Sequence, residues 1–459
     1  SVAAAVRPPS PRTFRRVRFI SRVFHQNVYR AGLGREFERI FLPVANQLPA
    51  GDPVPFDGTL PSSALAGLSQ QSLSIYLHVP FCRSRCGYCD FNTYTNLTMG
   101  PGANAGDYPQ TLAAEARLVA GAMQRAGLSL PPASTVFIGG GTPTMLAAKD
   151  LAAMVDTVAQ TWGLSDDVEI TTEANPETVD APYLQALASA GFTRVSFGMQ
   201  SAVPAVLKTL DRTHTPARVP QVVAWAKQAG LQTSVDLIYG SPGESLADWR
   251  LSLEAAVAME PDHISAYALA IEPGTKMWGQ VRRGELPMPS DDDEASKYEL
   301  ADQLLKDAGY NWYEISNWAR PGYQCRHNQA YWRQDTFWWG LGPGAHSYLG
   351  AARLWNTKHP LAWANQINSG KIPVAGWEHL GAGERATEVV MLAVRTRAGL
   401  DIDQLRQLRE DKGAGLSQVV AKLIATGLIE PRQALAGRIV LTLSGRLLAD
   451  GVTSQLLGW

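Results

Sequence analysis

Cysteine is scarce in this sequence: 459 residues carry four, Cys82, Cys86, Cys89 and Cys325, and three of them fall within eight positions. A secreted disulfide framework needs an even set spread along a short chain, so this spacing argues against one and points to a reducing compartment and a metal site. Excess charge is missing too. With 41 Lys and Arg against 42 Asp and Glu the net is −1, which gives no bulk attraction for polyanions. No apolar run approaches the roughly 18 residues of a membrane span. At 45% hydrophobic and 18% charged residues, the composition is that of a soluble globular chain with ample core.

The balanced average conceals an uneven distribution. Residues 1–35 contain eight arginines and no acidic residue, which leaves 33 basic against 42 acidic groups, a net of −9, in the rest. Such a tail reads either as an organelle transit segment or as a disordered extension. Residues 48–71 are rich in Pro, Gly and Ser without helical or strand period and read as a linker. The length suggests two or three domains of roughly 150 residues. The expected division is an N-terminal extension and linker over 1–71, an α/β domain over 72–375, and a smaller domain over 376–459.

From residue 72 the pattern alternates. Residues 72–80, 134–139, 167–176, 193–200, 232–240 and 263–273 are short β-branched or apolar runs that predict strands, while 107–126, 147–163, 180–190, 216–229 and 245–260 have helical apolar spacing. Strands separated by helices imply a parallel sheet with right-handed crossovers, whose functional loops lie at the carboxyl ends of the strands.

The cysteine triad directly follows the first predicted strand. Three thiolates at spacings of four and three can converge on one soft metal site. A four-iron, four-sulfur cluster held by three cysteines keeps one iron open to a small molecule. The competing reading is a zinc ion completed by His78. Two further segments sit at strand ends: Gly139 to Gly141 with Thr142, where missing side chains allow close ligand approach and expose N–H groups, and Glu173, a carboxylate suited to an ammonium or ribose hydroxyls.

The Cys-x-x-x-Cys-x-aromatic-Cys pattern after a first strand resembles the radical S-adenosylmethionine (SAM) superfamily. That resemblance implies an α/β fold, a partial (β/α)6 TIM-like barrel, and a [4Fe-4S] cluster on Cys82, Cys86 and Cys89. Its open iron would be chelated by the amino and carboxylate groups of SAM, and an electron, which an external donor must supply, would cleave SAM to a 5′-deoxyadenosyl radical. Tyr88 would lie near the adenine.

Within the superfamily the ordered motifs resemble the porphyrin-related branch of oxygen-independent coproporphyrinogen III oxidase and the heme chaperones. On that resemblance Tyr76, Gly140, Gly141, Thr142, Glu173, Gln200, Arg212 and Asp236 are SAM contacts. Ala268 and His346 fall near positions that approach the ligand in the oxidase. Phe91 stands where the oxidase has a further cysteine, and residues 1–71 lack its N-terminal segment, so the chaperone is the preferred relative and the oxidase the alternative. His327-Asn328-Gln329-Ala330-Tyr331-Trp332 matches the chaperone motif associated with heme. It implies heme as ligand, His327 as its contact with Cys325 competing, and acceptor hemoproteins of the respiratory-chain type as partners. The surrounding aromatics of 310–356 also suit ordinary packing.

Beyond residue 375, helical spacing over 384–396, 401–410 and 416–427 precedes a predicted two-stranded ribbon over 428–430 and 437–443, a winged-helix-like α+β pattern. Residues 416–427 offer only Lys422 as a basic group, which argues for partner docking and against nucleic-acid binding. The expected location is the cytoplasm, with peripheral membrane contact compatible, or an organelle interior such as a plastid if residues 1–35 are a transit segment.

Overall fold

A computed structural model describes residues 51, 72–333, 335–350, 352–409 and 413–458. The readings made for residues 1–71 therefore lie outside the described residues, Gly51 apart. The chain divides into two compact units. Among the described residues the larger comprises 72–311 and 317–380, the smaller 312–316 and 381–458.

The larger unit begins with the alternation the sequence predicts. Its first elements are β1 (Ser72–Val79), α1 (Tyr108–Arg125), β2 (Ala133–Gly140), α2 (Ala148–Trp162), β3 (Leu164–Ala174), α3 (Ala181–Ser189) and β4 (Arg194–Gln200). They are followed by α4 (Pro204–Thr209), α5 (Arg218–Gln228), β5 (Gln232–Tyr239), α6 (Leu246–Ala258) and β6 (His263–Ala268). Two of these helices start where side chains satisfy their first N–H groups: Asp180 accepts from Tyr183 N at 2.8 Å, and Ser245 and Asp248 form a reciprocal capping box.

β1 to β6 lie in sequence order and pair parallel throughout, the α/β sheet that the alternation predicts. Leu73, Ile75, Leu77 and Val79 of β1 are wholly buried. Each such side chain contributes about 1.5–3 kcal/mol on burial. Residues alternating with these, Ser74, Tyr76 and His78, share the opposite face with Thr135 and Phe137 of β2, where Tyr76 stands in register with Phe137.

After β6 come α7 (Lys276–Arg282), α8 (Asp291–Asp307), β7 (Asn311–Glu314), β8 (Asn317–Ala319), α9 (Arg326–Arg333), β9 (Thr336–Leu341), β10 (His346–Leu349), β11 (Ala352–Asn356), α10 (Pro360–Asn368) and β12 (Val374–His379). β9 pairs parallel with β1, and β10 to β12 continue antiparallel beyond it. The aromatic stretch thus extends the sheet. Sequence reasoning missed these strands because consecutive tryptophans and glycines mask the period of two.

The smaller unit contains α11 (Ala382–Val394), α12 (Ile402–Leu408) and α13 (Leu416–Ala425) around Val390, Val394, Leu405, Leu423, Ile439 and Leu456. The predicted ribbon is present but short: 429 meets 441 at one antiparallel bridge, flanked by Glu430 N on the Val440 carbonyl at 2.8 Å and Thr442 N on the Leu428 carbonyl at 3.1 Å. Arg438 and Ile439 pair in addition with Asp401 and Leu400, which the sequence did not predict. Pro431 starts a short helix, Pro431–Leu435, that connects the two strands in place of a tight turn.

Candidate functional site

β1 delivers the cysteine loop to the carboxyl end of the sheet. Cys82 is buried, Cys86 and Cys89 half-buried, and all are free thiols. Each sulfur has a polar neighbour: Thr142 Oγ1 stands 3.8 Å from Cys82, Arg212 Nη1 3.5 Å from Cys86 and Thr93 Oγ1 3.9 Å from Cys89. Burial pushes the Cys82 thiol up and that of Cys89 up to about 11, so these groups ionise on binding metal and release protons. Among the described residues no three His, Cys, Asp or Glu side chains converge on a single ion. A zinc needs all its sulfurs about 2.3 Å from one centre, whereas an iron–sulfur cluster takes each thiolate on a separate iron. The donor set fits the cluster. Arg212 and the two hydroxyls would offset the charge of its thiolates.

His78 does not complete a zinc site. Its Nε2–H donates to the Asn92 carbonyl at 2.9 Å, which leaves Nδ1 to accept the Tyr76 hydroxyl at 3.0 Å. Both nitrogens are engaged, and burial lowers the imidazole to about 4, so it is neutral.

The glycine loop works differently from the expectation. The N–H of Gly140 donates to Glu173 Oε2 at 3.0 Å, that of Gly141 to the Val79 carbonyl and that of Thr142 to the Phe81 carbonyl, both at 2.7 Å. None of the three is left for a ligand. The glycines instead admit close neighbours: at Gly140, φ +111°, a β-carbon would fall 2.5 Å from the His78 ring, and at Gly141 2.5 Å from the Phe81 carbonyl.

Glu173 and Gln200 lie at the carboxyl ends of β3 and β4, and Asp236 lies on β5 three residues before its end, paired with Gly198. Burial, and then the Asp236 charge, raise Glu173 to about 7; burial raises Asp236 to about 6 against hydrogen bonds from Ser265 and Ser196, the latter at 2.9 Å. Gln200 has φ +62° at a bulge, an uncommon conformation for a non-glycine residue. Arg212 Nη2 donates to the Gly198 carbonyl at 2.8 Å while Nη1 faces Cys86. Tyr88 packs on the apolar cluster of Val206, Leu210, Ile238, Leu269 and Met277. The structure therefore brings together the three cysteines with Tyr76, Tyr88, Gly140, Gly141, Thr142, Glu173, Gln200, Arg212 and Asp236.

His327 packs on the sheet face that carries Tyr76, behind Phe137, with its ring fully engaged. It is 1% exposed and stacks on Phe137 at 5.1 Å. Thr135 donates to Ser74, so His327 Nδ1–H donates to Thr135 at 2.7 Å, and Nε2 accepts the Tyr331 hydroxyl at 2.7 Å. No ring nitrogen is free for iron. The competing ligand, Cys325, is buried with its thiol 3.5 Å from Glu169 Oε1. Glu169, which sequence reasoning overlooked, also accepts the N–H groups of Arg326 and His327 at 3.0 Å each and faces Arg194 at 3.6 Å. It anchors the start of α9. Strand alternation from Glu173 through Thr171 would have placed it on the same face.

Residues 76–256 match the family model described as Radical SAM superfamily. The Heme chaperone HemW of Mycobacterium tuberculosis (strain ATCC 25618 / H37Rv) is 47% identical over 395 residues, 86% of this chain and 97% of that protein. The Radical S-adenosyl methionine domain-containing protein 1, mitochondrial, of Mus musculus is 34% identical over 370 residues, 78% and 81% of the two chains. Among solved structures, the coproporphyrinogen III oxidase HemN of Escherichia coli superposes with a TM-score of 0.72 over 86% of this chain and 92% of its own. At 23% identity that likeness concerns the fold.

Proposed function

The chain belongs to the heme chaperone HemW family of radical SAM proteins, and from that membership we propose that it binds a [4Fe-4S] cluster, SAM and heme, and passes the heme to acceptor hemoproteins. One observation carries the site: three free thiols leave β1 on one loop, each with a polar group beside its sulfur, near the carboxylates of Glu173 at the end of β3 and Asp236 within β5. Cys82, Cys86 and Cys89 hold the cluster. When bound, it supplies an electron to SAM from an external donor.

The remaining residues bind and orient. Glu173 and Asp236 take the cationic and hydroxyl groups of SAM, Gln200 and Arg212 line the floor between them, and Tyr88 offers an apolar face for the adenine. Tyr76 acts through His78, whose ring it holds. Gly140, Gly141 and Thr142 seat the loop on 79–81 and bring Glu173 into place. Heme meets His327 only after Thr135 or Tyr331 releases a ring nitrogen. Among the described residues no helix is long and apolar enough to cross a membrane; the chaperone would work in the cytoplasm and reach membrane-bound acceptors peripherally.

A pH dependence follows. A cationic ligand favours ionised carboxylates, and Asp236 and Glu173 lose their protons through about 6 and about 7. SAM affinity therefore rises with pH across that window in calorimetric titrations of the anaerobically reconstituted protein. Glu173→Gln lowers it by about tenfold or more at pH 8 and flattens the upper part of the profile. Equal affinity in both proteins at every pH removes Glu173 from the site. The heme reading is tested by heme titration followed by addition of an apo-hemoprotein.

A further inference from the structure

The segment after β11 is fixed over the cluster loop by two independent sets of hydrogen bonds. Glu115 on α1, fully buried, accepts from Gly342 N at 2.8 Å, Asn356 Nδ2 at 2.6 Å and Trp363 Nε1 at 3.0 Å. Gly344 N donates to the Thr357 carbonyl and Asn356 N to the Ala345 carbonyl, so 342–345 and 356–357 are locked side by side. From the other direction Asn92, three residues past Cys89, donates through Nδ2 to the carbonyls of Pro343 at 3.0 Å and Lys358 at 2.8 Å. Tyr94 Oη reaches the Lys358 carbonyl at 3.4 Å.

This framework sets the Lys358 backbone beside the cysteine loop, but its side chain has a different status from other partly or fully buried lysines. Lys297 has Asp293 at 2.5 Å, the Glu244 carbonyl at 2.8 Å and the Glu244 carboxylate at 3.5 Å. The half-buried Lys358 ammonium has no hydrogen bond or ion pair among the described residues. Its charge acts on two buried imidazoles: burial lowers His78 and His346, and Lys358 lowers them further, together with Arg353 at His346. Burial lowers Lys358 itself, and Asp90 opposes this. A half-desolvated cation without an acceptor is costly unless an anion completes it. Arg212 cannot serve the same purpose freely, since its two terminal nitrogens face Cys86 and Gly198.

We propose that Lys358 binds a ligand carboxylate at the mouth of the cluster site. Resting on the proposed function, this has two sources: the aminoacyl carboxylate of SAM, or a propionate of heme. Both are the same chemistry, and ligands lacking the group separate them.

The test uses the reconstituted full-length protein with Lys358→Met, which keeps the apolar stem, and Lys358→Arg, which keeps the charge. SAM and decarboxylated SAM are titrated by calorimetry, heme and its dimethyl ester by the Soret band. If the carboxylate is that of SAM, Lys358→Met weakens SAM about ten- to a hundredfold, leaves decarboxylated SAM and heme unchanged, and Lys358→Arg restores most of the loss. If it is a propionate, heme weakens by a similar factor while its diester and SAM do not. Wild-type affinity of Lys358→Met for both SAM and heme, with Glu173→Gln still impaired for SAM, overturns the proposal and leaves the proposed function standing. Failure of the wild-type protein to bind either ligand removes both.

Discussion

Cys86→Ala is expected to abolish the four-iron cluster: iron and sulfide fall to background and the broad charge-transfer absorption disappears after anaerobic reconstitution. The reason is arithmetic as well as geometry. The loop supplies three thiols and the fourth cysteine, Cys325, is buried with its thiol on Glu169, so it cannot substitute. Two remaining thiolates leave two irons without protein ligands. The fold should survive, because Cys86 is half-buried on a loop and its replacement deletes no core side chain; the unfolding free energy from denaturant titration should change by well under about 1 kcal/mol. Intact iron and sulfide in this variant would show that the thiols do not hold the cluster.

Glu169→Ala is expected to destabilise the larger unit by about 3–5 kcal/mol, because one partner of a buried ion pair is removed and the other stays. Arg194, 2% exposed, loses its neighbouring carboxylate, and the N–H groups of Arg326 and His327 lose their acceptor. The first turn of α9 is held by that carboxylate, so hydrogen exchange at 326 and 327 should accelerate more than at β2 or β3. Glu169→Gln, which keeps one acceptor oxygen, should fall between. A loss below about 1 kcal/mol with unchanged exchange would mean that α9 is held by its aromatic contacts instead.

These expectations show where the sequence was legible. The six parallel strands were readable because β-branched runs of the right length recur between amphipathic helices, and five of them lie within three residues of the observed ends. The sixth ends at Ala268 and not at residue 273, because its partner β5 ends at Tyr239 and Leu269 N on the Tyr239 carbonyl is the last bond between them. The cysteine loop was readable from spacing, and the cofactor contacts came from resemblance. What stayed hidden depends on contacts distant in sequence. The Glu169 clamp on α9 spans 157 positions to Arg326, and the Glu115 network that fixes 342–356 spans 227 and 241. The same limit applies to His327, where the motif was visible but its burial behind Thr135, Phe137 and Tyr331 was not.

The glycine loop makes a related point about function. Its glycines suggested N–H groups turned to a ligand, yet those groups bind Glu173 and the backbone of 79–81. The chemistry is thereby moved from the amides to the carboxylate they orient. Likewise His78, two residues past Tyr76 on the same strand face, serves to join Tyr76 to Asn92 and so to the loop that carries Lys358.

The most direct measurement is the Soret band of the cluster-loaded protein during heme titration and after addition of an apo-hemoprotein. The account predicts saturable binding, followed by transfer of the heme spectrum to the acceptor, with slower uptake than an open site because His327 must first part from Thr135 or Tyr331. No saturable binding, or heme that stays with the protein in the presence of a competent acceptor, would contradict it.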